Sequence, residues 1–275
     1  MQSLVPQLTT RKLIRRAGLA TAALALLLAG CKPPQQVDQT KVDKVGLVLL
    51  SADSGSGKAS GQATFVALTA ARAEELMRSP FGSEIGTCTV STNQAPATGS
   101  VTTTPGGASL LAGDITLRVG DNVYGLLERG EDGRYTLRAT DPLPATGLSL
   151  KLAGTGAFPA FAGVAVNVGQ APAPADAFDT SAVTVGTEFA WNPGTVGAAL
   201  LLVGASDDGS VAYSCLADDA AGTFRFPETT RDELTSAGYD SGNLATLARI
   251  SATQARSGSA LLLVNTVRLT DLGAK

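Results

Sequence analysis

Residues 114–139 read DITLRVGDNVYGLLERGEDGRYTLRA, and this stretch decides the fold class. Three short runs of β-branched, leucine and aromatic residues are separated by Gly120-Asp121-Asn122 and by Gly130-Glu131-Asp132-Gly133. Both separators are rich in Gly, Asp and Asn, which tolerate positive φ or bond their own backbone, the chemistry of a hairpin turn. In Arg134-Tyr135-Thr136-Leu137-Arg138 polarity alternates with a period of two, so Tyr135 and Leu137 point to a core and the arginines to water. The stretch predicts an antiparallel meander over 114–119, 123–128 and 134–139.

The same rhythm continues in both directions. Strands are predicted at 45–50, 63–68, 86–91, 148–152 and 164–168, then at 183–191, 198–205, 210–217, 223–226, 244–251 and 259–269. Asp207-Asp208-Gly209 is a further hairpin turn. Helical signal is confined to 69–78, stopped by Pro80, and to a short helix opened by the capping-box pattern Thr230-Arg-Asp-Glu233 and ended at Gly238. The fold class is therefore all-β: one or two antiparallel, Ig-like β-sandwich domains with one or two short helices. Gln170-Ala-Pro-Ala-Pro-Ala-Asp176 favours extended polyproline conformations and reads as a linker. It divides the body into a domain at 45–170, a linker at 171–180 and a domain at 181–275. The run Ala260-Leu-Leu-Leu-Val264 requires burial on both faces of its strand, or at an interface.

The N-terminus has a different composition. Arg11, Lys12, Arg15 and Arg16 form a basic region, Ala17 to Leu28 an apolar run too short to span a bilayer, and Leu28-Ala29-Gly30-Cys31 closes it. This segment resembles the signal and lipobox of bacterial lipoproteins. The resemblance implies that residues 1–30 are removed and that Cys31 carries lipid. Two or three acyl chains, at about 0.8 kcal/mol per buried CH₂, give stable attachment to the lipid bilayer. Residues 31–44, polar and proline-containing, read as a tether. Lys32 after the cysteine, in place of aspartate, points to the outer membrane or cell surface rather than the inner membrane.

Composition excludes several chemistries. The chain has no histidine, which removes Ser-His-Asp and Cys-His nucleophiles and histidine-based metal sites. Lys and Arg number 21 against 24 Asp and Glu, and the basic residues cluster only in the signal, so nucleic acid is not an expected partner. With Cys31 lipidated, Cys88 and Cys215 remain. They either pair in an oxidising envelope, closing a loop of about 127 residues worth up to ~5 kcal/mol, or stay as separate buried thiols.

Other constellations are weaker. Ser51 to Ala59 imitates a phosphate loop, but Ala52 and Ala59 stand at two of its required positions. Carboxylate pairs occur at Glu74-Glu75, Glu131-Asp132, Asp207-Asp208 and Asp218-Asp219, mostly in predicted solvated turns. Convergence of the last two loops would suit calcium. Trp191, Phe189, Tyr213, Phe224 and Phe226 make either a sugar-stacking platform or a sandwich core. No catalytic residue, metal ligand or cofactor is assigned, and no ligand-binding residue is named.

The segments Gly86-Thr-Cys-Thr-Val90, Leu111-Ala-Gly-Asp-Ile-Thr-Leu117, Gly133-Arg-Tyr135, Phe189-Ala-Trp-Asn-Pro193, Tyr213-Ser-Cys215 and Gly222-Thr-Phe-Arg-Phe-Pro227 resemble a group of bacterial envelope lipoproteins. That group is built from Ig-like β-sandwich halves and implies no activity. The expectation is a non-enzymatic, lipid-anchored envelope protein with a structural role or an envelope or surface-layer protein partner. A carbohydrate or small-ligand binding module and a carboxylate-based hydrolase are the alternatives.

Overall fold

The computed structural model describes residues 42–52, 58–78, 81, 84–92, 108–139, 141–176, 178–194 and 198–272. The lipobox and its cysteine lie outside these residues, as does most of the phosphate-loop imitation. The strands, in chain order, are β1 (Lys44–Ala52), β2 (Ala59–Ala67), β3 (Thr87–Thr92), β4 (Ile115–Val119), β5 (Asn122–Arg129), β6 (Tyr135–Arg138) and β7 (Leu148–Leu152). They continue as β8 (Phe161–Ala165), β9 (Glu188–Ala190), β10 (Ala198–Ser206), β11 (Val211–Asp218), β12 (Thr223–Arg225), β13 (Gly242–Ser257) and β14 (Ala260–Asp271). Two short helices are added, α1 (Ala70–Arg78) and α2 (Glu228–Ser236). The protein is all-β, of the sandwich class.

Twelve strands form one hydrogen-bonded sheet in the order β3-β11-β10-β13-β14-β1-β2-β6-β5-β4-β7-β8, and β9 pairs with β12 in a separate ribbon. Every pairing is antiparallel except β1 with β14. The sheet packs in layers around two main cores. In the first, Phe158 meets Phe65 edge-on at 4.8 Å and Phe65 meets Tyr135 at 5.4 Å, bringing the residues before β8 onto β2 and β6. In the second, the β9–β12 ribbon and α2 cover the β10–β11 face, with Phe189, Tyr213 and Phe226 in mutual ring contact.

The meander is as the alternation predicts: Tyr135 and Leu137 are buried, and Arg134 and Arg138 are exposed. One irregularity breaks the pattern. The β4–β5 register shifts between Leu117 and Arg118, leaving Tyr124 as an extra residue on β5. The Ala260 to Val264 run is buried on both faces, as its composition requires. Ala260, Leu262 and Val264 enter the first core, and Leu261 and Leu263 meet Ala73 and Leu76 of α1. Its partner on one side is β1, parallel and in register from Lys44↔Ala260 to Ala52↔Arg268.

The strands do not divide at 171–180. β3 of the first half pairs with β11 of the second, β14 of the second pairs with β1 of the first, and Lys41–Lys275 cluster as one unit. The proline-rich segment is a strap stitched onto the sheet rather than a free linker. Thr266 Oγ1 donates to Asn167 O at 2.6 Å, Arg249 Nη1 to Gln170 O at 2.9 Å and Thr270 Oγ1 to Pro172 O at 2.5 Å. The Asn192 and Ala175 amides then continue the strap into β9, bonding Ala173 O and Ala190 O at 3.0 Å each. An extended, proline-containing chain makes no internal hydrogen bonds, so its carbonyls are offered to whatever donors lie beneath. The strap also accounts for the predicted strand at 164–168, which instead ends at Ala165 as β8. The predicted 183–191 strand shortens to β9, with Val183 bridged to Gly242.

The second helix starts earlier than predicted. It begins at Glu228 after Pro227, with no side-chain cap, and Thr230 is a buried interior residue. Proline fixes the φ needed to enter a helix without a capping side chain. The C-terminal expectation holds: Gly238 N–H bonds Thr235 O and Tyr239 N–H bonds Leu234 O, the double bond of a Schellman ending.

Candidate functional site

The second core and the strap meet at Arg249 on β13. Leu247, Arg249 and Ser251 share one strand face by their alternation, so the guanidinium points inward. It is 5% exposed and sits against the fully buried Asp219, with Nε–Oδ2 at 2.6 Å and Nη2–Oδ1 at 3.1 Å. Its remaining bonds go to the carbonyls of Gln170 and, at 2.7 Å, Asn192. Asp219 lies in a one-turn 3₁₀ segment, Asp219–Ala221, whose N-cap is Asp218 and whose exit is Gly222 at φ 69°. The Trp191 indole N–H donates to Asp219 O at 3.0 Å. Gly194 makes room for the pair, since a Cβ there would lie 1.9 Å from Asp219 Oδ2. Four separate segments therefore converge on one ion pair.

This arrangement corrects the solvated-turn reading of Asp218-Asp219. Asp218 behaves as a turn residue, its carboxylate accepting from the Ala220 amide at 3.1 Å. Asp219 does not: it is fully buried, and each of its carboxylate oxygens accepts from Arg249. The sequence carried one clue, an arginine flanked by Leu247, Ala248 and Ile250 at an inward position of its strand. Chemically the pair is a clamp, with neither partner presented to a reactant.

The other acids stay at turns or on helix surfaces. Glu74 and Glu75 pair with Arg78 and Arg72 on exposed α1. Asp132 Oδ1 accepts from the Arg134 amide at 3.0 Å. Asp207 Oδ2 accepts from Ser241 Oγ at 2.6 Å. Asp208 accepts from Ser206 Oγ, the Ser210 amide and Ser210 Oγ, and these bonds hold its carboxyl down to about 2. Among the described residues no group of three or more Cys, Asp or Glu is gathered as metal ligands.

Of the five aromatic candidates, Trp191, Phe189, Tyr213 and Phe226 are buried and Phe224 is half-buried against the same core, so the set is spent on packing. Tyr213 and Tyr239 donate to the carbonyls of Asn243 and Val183. Burial pushes the Tyr213 hydroxyl well above its ordinary value. Burial first, then the nearby Asp207 charge, pushes Tyr239 up to about 12. Both groups therefore resist ionisation more strongly in the fold than in the open chain. Their stabilising contribution is complete below pH 10 and is lost as pH rises above it, between about 10 and 12 for Tyr239. Urea midpoints are expected to be level from pH 8 to 9.5 and to fall through pH 11. A Tyr239→Phe variant should show a shallower fall, and an unchanged slope would contradict the assignment.

Cys88 and Cys215 are disulfide-bonded, at directly opposed positions of β3 and β11 and 127 residues apart in sequence. Sequence reading did not single out one surface feature of the first half. A surface cleft of about 420 Å³ runs beside the outer face of β4 and β5, lined by Leu111, Leu126, Asp114, Thr116, Glu128 and Arg129 among others. Leu111, Val123 and Leu126 are 49%, 57% and 46% exposed. The backbone presenting Leu111 is fixed: Leu110 N–H bonds Phe65 O, Ala112 N–H bonds Tyr135 Oη, and Thr155 Oγ1 bonds Leu111 O. The bulge at Tyr124 explains why alternation did not find this surface, because it puts Val123 and Leu126, an odd number of residues apart, both on the outside.

No protein family and no curated protein matches this chain. Among solved structures, it is similar to the crystal structure of a tetra-tandem repeat in the extending region of a large adhesion protein. The identity is 12% and the TM-score 0.19, over 83% of this chain and 49% of that one. The chain thus spans about half of that structure, and a likeness of this degree transfers no function.

Proposed function

We propose that this is a non-enzymatic, lipid-anchored protein of the bacterial cell envelope with a structural or protein-interaction role, attached to the outer membrane or cell surface through acylated Cys31. The observation that carries the reading is the sequence Leu28-Ala29-Gly30-Cys31 behind a basic and an apolar run. Two features of the body support it. Asp219 and Arg249 serve to hold segments together, and the aromatic rings fill the second core. The surface instead offers the aliphatic groups Leu111, Val123 and Leu126, which suit contact with another protein.

The test is metabolic labelling with a clickable palmitate in a lipoprotein-processing bacterium. Wild-type protein is expected to carry label and to fractionate with the outer membrane. Cys31→Ser should lose the label and leave the membrane fraction. Label retained in that variant, or unlabelled wild type, rejects the anchor. A photo-crosslinking residue at Leu126 in living cells tests the interaction role, with a discrete adduct expected there and none from a probe at Asp121 on the neighbouring turn.

A further inference from the structure

The sheet ends in two different ways. At the β8 end the ladder slips between Leu150 and Leu152, and the chain leaves immediately as the strap, so the edge is blunted. At the other end, β3 is in unbroken register with β11 from Thr87↔Leu216 to Thr92↔Val211. Its residues, Thr-Cys-Thr-Val-Ser-Thr, contain no charge and no proline. None of the six is fully buried, and only Cys88 and Val90 pack against the second core. By contrast, β11 buries six of its eight residues. A thin polar strand therefore flanks an apolar one, held by its ladder, by the packing of Cys88 and Val90, by α2 lying against it and by the disulfide.

We propose that the Cys88–Cys215 disulfide is a latch: its reduction releases β3 alone and turns β11 into an open sheet edge while the rest of the body stays folded. The released edge, Val211-Ala-Tyr-Ser-Cys-Leu216, is uncharged and free of proline, the composition that accepts an added extended strand. The reductant is a dithiol. Its thiolate attacks Sγ of Cys88, the half-buried residue of the pair, because Cys215 is fully buried. The S–S bond breaks, Cys215 leaves as a thiolate and takes a proton, and a mixed disulfide remains on Cys88. The second thiol of the reductant then displaces Cys88. The protein gains two electrons and two protons, and the reductant becomes a disulfide.

Hydrogen exchange on the folded chain, oxidised and reduced, reads the latch. Amides of 87–92 are expected to exchange about 100-fold faster after reduction, with β1 and β14 unchanged. The Cys88→Ser/Cys215→Ser double variant should match the reduced protein without reductant. Brief exposure to glutathione with acid quench should place the adduct on Cys88. Protection of 87–92 within about threefold of the oxidised protein, loss of protection in β1 and β14 together with β3, or an adduct on Cys215 would each overturn the proposal.

Discussion

Asp219→Ala is expected to cost about 3–5 kcal/mol of folding free energy, because it leaves the Arg249 guanidinium buried beside two carbonyls with no anion. The magnitude follows from burial: Asp219 is 0% and Arg249 5% exposed, so water cannot replace the lost partner. A domain of this size is stable by only about 5–15 kcal/mol, so the variant should approach the threshold of folding at 37 °C. Arg249→Met should be as damaging, since it orphans the carboxylate and unpins the strap at Gln170 and the loop at Asn192. The combined Asp219→Leu/Arg249→Met protein should be more stable than the Asp219→Ala variant, because no unpaired charge remains. Urea unfolding of the oxidised protein measures all three. A loss below about 1 kcal/mol for Asp219→Ala would mean that the pair is solvated and does not clamp these segments.

Phe65→Ala should cost about 3–5 kcal/mol by a different route, an unfilled cavity in the first core. Phe65 is fully buried on β2 and touches the rings of Tyr135 and Phe158. Its cross-strand neighbour on β1 is Gly46, and a Cβ on Gly46 would lie 2.6 Å from Phe65 Cε1. The glycine is thus the space in which the ring lies. Gly46→Ala should therefore be destabilising in the wild type and less so in the Phe65→Ala background, where the ring is gone. Double-mutant analysis reads that coupling directly. Additive effects would show that the ring does not occupy the glycine position.

The two sites differ in how far the sequence announced them. Phe65 lies in a predicted strand, and any alternation analysis puts a phenylalanine in the core. Asp219 sits in Asp218-Asp219, whose local signal is a solvated turn, and for Asp218 that signal is correct. What reverses it for the next residue is an arginine 30 positions later, which no local pattern connects to it. The strap fails for the same reason. Ala-Pro-Ala-Pro does specify an extended chain, but Thr266 and Thr270, which hold it down, lie 99 and 98 residues away. The cleft beside Leu111 and Leu126 was hidden by a single extra residue on β5, since a bulge reverses the faces that alternation assigns.

The sequence by itself determined the local grammar: short strands, hairpin turns at Asp121 and Asp208, two small helices, and the strand face that carries Tyr135 and Leu137 inward. These follow from side-chain period, turn chemistry and glycine tolerance, all of which act within a few residues. Only the tertiary structure decided which strands meet. The parallel pairing of β1 with β14, the β3–β11 pairing that opposes Cys88 to Cys215, and the Arg249–Asp219 clamp across the strap all join distant parts of the chain. A period of two fixes the face a side chain occupies but not the strand that lies beside it. That choice is made by the collective burial of both faces of β1 and β14, which no segment can satisfy alone.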